Sequence, residues 1–100
     1  MTTFEVLAEP KRRLILDQLA GGELAVSELV RRLRMSQPAV SKHLRILRDA
    51  GMVTARVDAQ RRQYRINPAP LAEIDRWLAH FRPFWTKRLD DLQVQLDKED

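Results

Sequence analysis

The segment Ser36-Gln37-Pro38-Ala39-Val40-Ser41-Lys42-His43-Leu44-Arg45-Ile46-Leu47-Arg48-Asp49-Ala50-Gly51 constrains this chain more than any other. A serine suited to capping a helix precedes a proline suited to its first turn, and a glycine closes the run. Val40, Leu44 and Leu47 recur at helical spacing and form one apolar face. Gln37 stands at the helix entrance on the opposite side, where Pro38, Ser41, Lys42 and Arg45 follow at i, i+3, i+4 and i+7. Such a helix seats one side on a core and offers hydrogen-bond donors and positive charge with the other.

The flanking pattern places this helix in a larger unit. Thr2-Thr3-Phe4-Glu5 carries a capping-box pattern and predicts a short helix over Thr3 to Ala8. Pro10 opens a second helix, with Leu14, Ile15 and Leu19 on one side, that ends at Gly21-Gly22. Leu24-Ala25 is extended only briefly. A third helix from about Ser27 to Leu33 buries Val26, Leu29, Val30 and Leu33, and Arg34-Met35 joins it tightly to the capped one. After Gly51 the period changes to two: Val53, Ala55 and Val57 alternate with Thr54, Arg56 and Asp58, then Tyr64 and Ile66 with Gln63 and Arg65. This is a β-hairpin around Asp58-Ala59-Gln60-Arg61, although no Asn-Gly or Asp-Gly pair marks its turn. Asn67-Pro68-Ala69-Pro70 ends it. A helical period then returns through Leu71, Ile74, Leu78, Phe81 and Trp85 to Leu89, Leu92 and Leu96. Pro83 interrupts this run and costs about 3 kcal/mol in a straight helix, which predicts a kink or a break.

The expected fold is one domain over residues 1–100, α+β and mostly helical, in the order α-α-α-α-β-β-α. Helices three and four form a helix-turn-helix, the hairpin is a wing, and the long kinked C-terminal helix lies in a dimer interface.

Charge supports that reading. The chain carries +4 overall, but from Arg31 to Arg65 ten Lys or Arg oppose two acids, a local +8 between neutral or acidic flanks. Basic excess confined to one segment points to a polyanion footprint. Gln37 suits a bidentate pair with adenine, Lys42 and Arg45 suit guanine, and Ser41 suits either a base or a phosphate. Arg61 and Arg62 extend the footprint from the hairpin tip to phosphate or the minor groove. Arg56 and Arg65 share a strand face and stand equally as solvated charge. Arg12 and Arg13 read either as phosphate contacts or as salt-bridge partners of Glu9 and Asp17. His43, between the two faces of its helix, reads first as a packing or helix–helix hydrogen-bonding residue and second as a phosphate contact.

Other classes are hard to build. Cysteine is absent, which excludes disulfides and thiolate chemistry. The two histidines lie far apart in sequence and no glycine loop cradles a phosphate, so neither catalysis, cofactor nor metal is expected. No apolar run approaches the ~18 residues of a membrane span. The N-terminus lacks a signal-peptide pattern, so a cytoplasmic location is expected. Large apolar residues exceed what so small a core needs: Leu71, Ile74, Leu78, Phe81, Trp85, Leu89 and Leu92, with Phe4 and Leu7, predict a two-fold interface between copies. Two other readings stand beside it. The stripe folds back on its own domain, or Trp77, Phe81, Phe84 and Trp85 line an apolar ligand pocket. The rival for the whole chain is a winged-helix protein-interaction module without DNA binding, which would expose apolar residues where Gln37 and Ser41 stand.

Over nearly its whole length the sequence resembles the ArsR/SmtB family of winged-helix repressors. The resemblance rests on Leu7-Ala8-Glu9-Pro10 with Arg12-Arg13, on Glu23-Leu24-Ala25-Val26-Ser27-Glu28-Leu29, on Ser36 to Leu44 and on Leu47 to Val53. It implies a dimer on double-stranded DNA of inverted-repeat symmetry, often in its own promoter, released by an inducer. Metal-sensing members carry two cysteines where Ala25 and Ser27 stand here. The family's other metal site needs an Asp-x-His pair and a later His on the last helix, where this chain has Asp75, Trp77 and a lone His80. The tail from Phe84 to Leu92 is similar to a non-metal branch, for which the resemblance implies no particular inducer.

Overall fold

The Thr2 hydroxyl accepts the Glu5 N–H and the Glu5 carboxylate accepts the Thr2 N–H, both at 3.1 Å, so helix α1 (Thr3–Ala8) begins at its capping box. The structure, a computed structural model, describes residues 1–99. Helix α2 (Pro10–Leu19) follows a Glu9 cap and buries Arg12, Ile15, Leu16 and Leu19. The sequence places Leu14 on that face, but it is exposed and Leu16 is buried instead. The buried row runs i, i+3, i+4, i+7 from residue 12, and an arginine heads it. Arg12 is tolerated inside because its Nε–H donates to the Val6 carbonyl at 2.7 Å, while Arg13 donates to the Leu7 carbonyl. Both guanidinium groups thus satisfy carbonyls left open at the end of α1, where positive charge is also favoured. Neither forms the ion pair with Glu9 or Asp17 that the sequence offered as an alternative, among the described residues.

Strand β1 (Leu24–Ala25) leads directly into helix α3 (Val26–Leu33), and Arg34 at φ 53° turns the chain toward helix α4 (Gln37–Asp49). The Ser36 hydroxyl caps α4 by accepting the Ala39 N–H at 3.2 Å. At the other end Gly51, at φ 73°, donates to the Arg48 carbonyl and Met52 to the Leu47 carbonyl, both at 2.9 Å. These two bonds form a Schellman motif, and both Met52 and Leu47 are buried in the same core cluster. Val40, Leu44 and Leu47 are fully buried and join Val6, Ile15 and Leu29 in the core.

Strands β2 (Val53–Asp58) and β3 (Arg61–Ile66) pair antiparallel, with Asp58 opposite Arg61. The turn is therefore only Ala59-Gln60, tighter than its sequence suggests, and Ala59 itself adopts the left-handed φ of 59° that an asparagine or glycine usually supplies. β1 joins as a third strand, giving the order β1-β3-β2, with Leu24 opposite Tyr64 and Ala25 opposite Gln63. Asn67 fastens the base of the hairpin to the end of α4: its Nδ2 donates to the Gly51 carbonyl at 2.7 Å and its N–H to the Met52 carbonyl at 2.9 Å.

The C-terminal run is two helices, α5 (Ala69–Ala79) and α6 (Arg82–Glu99), so the interruption at Pro83 is a break rather than a kink. Pro83 falls in the first turn of α6, where its missing N–H costs nothing, while its ring excludes a continuous helix through the carbonyl four residues earlier. Short i→i−3 bonds, from His80 to Trp77 and from Phe81 to Leu78, tighten the turn between them. α5 packs on α1, where the rings of Phe4 and Trp77 meet edge to face at 5.4 Å. α6 stands off the body. Every residue from Arg82 to Lys98 is exposed, and the radius of gyration is 17.9 Å, against about 13 Å for a compact chain of this length. Among the described residues no helix is long and apolar enough to cross a membrane.

Candidate nucleic-acid interface

The cap at Ser36 and the buried face of α4 leave its other side against the wing, across a groove of about 420 Å³. Gln37, Ser41, Arg45 and Arg62 line it together, as do Arg48, Asp49, Val26 and Tyr64. Four of the seven residues singled out in the sequence thus converge. Pro38 and Lys42 are exposed on the same helix without lining the groove. Arg61 goes elsewhere: its guanidinium donates to the Ser27 hydroxyl at 3.1 Å. Arg48 was missed, although it lies three residues after Arg45 and seven after Ser41 and so continues their stripe by one turn.

Ion pairs sort the basic segment. Glu28 binds both Arg31 and Arg32, and their hydrogen bonds, that of Arg31 first, hold its carboxyl down at about 2. Arg56 grips Glu23 as a fork, at 3.0 Å through Nε and 2.6 Å through a terminal nitrogen, which raises its own pKa. Among the described residues, by contrast, the side chains of Lys42, Arg45, Arg48 and Arg62 make no ion pair or hydrogen bond. Among the described residues of the basic segment, Arg34, Arg61 and Arg65 also lack an ion pair, but Lys42, Arg45, Arg48 and Arg62 stand together on α4 and its groove, where their charge attracts a polyanion. Forked guanidinium donors, an amide and a hydroxyl along one helix side are the chemistry that distinguishes base edges.

His43 has a different role. Its Nδ1 is buried with no hydrogen-bond partner, and its pKa is lowered first by burial, then by the Arg12 charge on α2. Lys42 and Lys11 act in the same direction, and Glu9 opposes them. It packs as a neutral ring between α4 and α2. In the unfolded chain histidine titrates near 6.5, so protonation favours unfolding. Its contribution is fully present above that pH and is lost as pH falls toward the lower folded value. Urea midpoints measured from pH 7 to pH 5 should decline in the wild type and decline less in His43→Gln. Equal slopes would show that another group carries the dependence. Among the described residues no three His, Cys, Asp or Glu side chains gather as metal ligands.

Residues 9–55 match the model of a family described as bacterial regulatory protein, arsR family. The chain is 41% identical over 96 residues to the HTH-type transcriptional regulator Rv2034 of Mycobacterium tuberculosis, covering 96% of this chain and 87% of that one. It is 31% identical to the transcriptional repressor SdpR of Bacillus subtilis, over 78% of this chain and 87% of the relative. A solved structure described as a possible transcriptional regulator for arsenical resistance superposes with a TM-score of 0.72 at 40% identity, spanning 95% of this chain and 96% of that one.

Proposed function

Since this chain belongs to the ArsR family and is a DNA-binding transcriptional regulator, we propose that it acts as a homodimeric repressor of an inverted-repeat operator. α4 enters the major groove. Arg45 and Gln37 read base edges, Ser41 and Pro38 lie against them, and Lys42 and Arg62 hold phosphate. Arg61 extends the wing contact to phosphate or the minor groove through the guanidinium hydrogens that its bond to Ser27 leaves free. The whole chain works as one DNA-binding and dimerisation unit, in the cytoplasm with its DNA. The copies meet through Phe4, Leu7, Leu71, Ile74, Leu78, Phe81, Trp85, Leu89 and Leu92, an arrangement that puts two reading helices about one DNA turn, ~34 Å, apart. The relative SdpR is named as a transcriptional repressor, which supports repression as the sign of control.

The observation that carries this reading is the groove itself: three arginines without internal partners among the described residues, Arg45, Arg48 and Arg62, line it beside a helix whose other face is fully buried. Salt dependence tests it. With roughly six phosphates neutralised per dimer, log K against log[salt] should fall with a slope near −5 on DNA upstream of the chain's own coding region. A slope shallower than about −2, or no sequence-dependent binding at all, would remove the proposed footprint and favour a partner-binding module.

A further inference from the structure

The wing carries four arginines, and the register of the hairpin divides them. Arg56 stands opposite Gln63 and Asp58 opposite Arg61, so Arg56, Arg61 and Arg65 share one face of the ribbon while Arg62, opposite Val57, lies on the other. Each arginine of the first face is tethered: Arg56 to Glu23, Arg61 to the Ser27 hydroxyl at 3.1 Å, and Arg65 to the Thr54 hydroxyl at 3.2 Å. Arg62, on the second face, is the wing arginine that lines the α4 groove.

Glu23 and Ser27 flank β1. The backbone pairing of β1 reaches Gln63 and Tyr64, so it supports the middle of β3 and not the tip. A two-stranded ribbon is weakly ordered by itself, and on the core side of the tip Val57 is exposed. Of the side-chain bonds to the flanks of β1, that of Arg56 is level with the last backbone pair, opposite Gln63, and that of Arg61 lies two residues beyond it; together they restrain where the tip points. We infer that Glu23 and Ser27 are positioning residues for DNA binding: they fix the far face of the wing and thereby aim Arg62 into the groove beside α4. The inference rests on the DNA-reading role of that groove proposed above.

The two carboxylate effects have opposite signs, which makes the test sharp. If Glu23 acts on DNA only through its charge, Glu23→Gln removes a repulsion and tightens binding. If it aims the wing, the same substitution weakens binding by about fivefold or more, the usual floor for a coupling between sites. Exposed pairs of this kind contribute little to stability, so melting temperature should stay nearly constant. Fluorescence anisotropy with a labelled operator duplex at fixed salt compares wild type, Glu23→Gln, Arg56→Lys, Arg62→Ala and the double variant Glu23→Gln/Arg62→Ala. Arg56→Lys keeps the charge but not the fork, and should weaken binding as Glu23→Gln does. In the Arg62→Ala background the loss from Glu23→Gln should vanish. Unchanged or tighter binding by Glu23→Gln, or an equal loss with Arg62 absent, overturns the inference. Were Arg62→Ala to weaken binding while Glu23→Gln did not, the positioning role alone would fail. Were the wild type to show no sequence-dependent binding, the function itself would fail with it.

Discussion

Replacing both Trp85 and Leu89 by glutamate should convert the protein to a monomer in sedimentation and lower operator affinity by roughly 10²- to 10⁴-fold, the loss that follows when two linked sites must bind separately. Trp85, Leu89, Leu92 and Leu96 are spaced four, three and four, the rhythm of a helix seam that packs against another helix. In the single chain this seam is bare: Trp85 is 40% and Leu89 61% exposed. Burying such a side chain contributes about 1.5–3 kcal/mol, so several of them doubled by symmetry are enough to hold two copies together. Two carboxylates placed in the same seam would have to lose their hydration without a partner, which costs several kcal/mol each. Because Trp85 and Leu89 are exposed on a helix whose residues from Arg82 to Lys98 are all exposed, the double variant should retain its melting cooperativity while losing its mass. A dimer of undiminished stability would move the interface elsewhere and leave the aromatic run Trp77, Phe81, Phe84 to another use.

What could be read from the sequence, and what could not, follows from the range of each interaction. The cap at Ser36, the buried trio Val40, Leu44 and Leu47, and the stop at Gly51 are all settled within one helix, and all are where the spacing puts them. The buried row of α2 was obscured because Arg12 heads it. An arginine inside is acceptable only if some distant group accepts its hydrogens, and the acceptor, the Val6 carbonyl, is fixed by how α1 meets α2. The two-residue turn at Ala59-Gln60 escaped for a related reason. Alanine pays a penalty in the left-handed region of about 1–2 kcal/mol, which pairing across β2 and β3 offsets and local preference does not reveal.

At the candidate site the limit was charge compensation. Ten basic residues between Arg31 and Arg65 look alike in a linear count. The fold divides them by bringing Glu28 beside Arg31 and Arg32, and Glu23 across the sheet to Arg56. The first pairing is local and visible as a helical spacing of three and four. The second joins residues far apart in the chain and needs the three-stranded register. Arg61 and Arg62, adjacent in sequence, face opposite ways for the same reason that alternate strand residues do, and only one of them reaches the groove.

Arg45→Ala should therefore produce the largest loss of any single change on the reading face. Arg45 is exposed, lines the groove, and gives up no internal hydrogen bond when it turns to DNA. A bidentate contact from arginine to guanine discriminates by about 1–3 kcal/mol. In a dimer the contact occurs twice, so the expected loss is about 2–6 kcal/mol, or roughly thirty- to twenty-thousand-fold in affinity. Loss of charge alone behaves differently: it weakens every duplex about equally and makes the salt slope shallower by about one per phosphate contact removed. Competition between an operator selected from random duplexes and a scrambled duplex separates the two. Arg45→Ala should bind both at nearly the same weak affinity, and Arg45→Lys should recover part of the scrambled-duplex binding while still failing to prefer the operator. Arg31→Ala is the matched control, because its charge is already held by Glu28 on α3. If Arg45→Ala retained the full preference for operator over scrambled DNA, α4 would be held against the duplex by its charge and another element would be doing the reading.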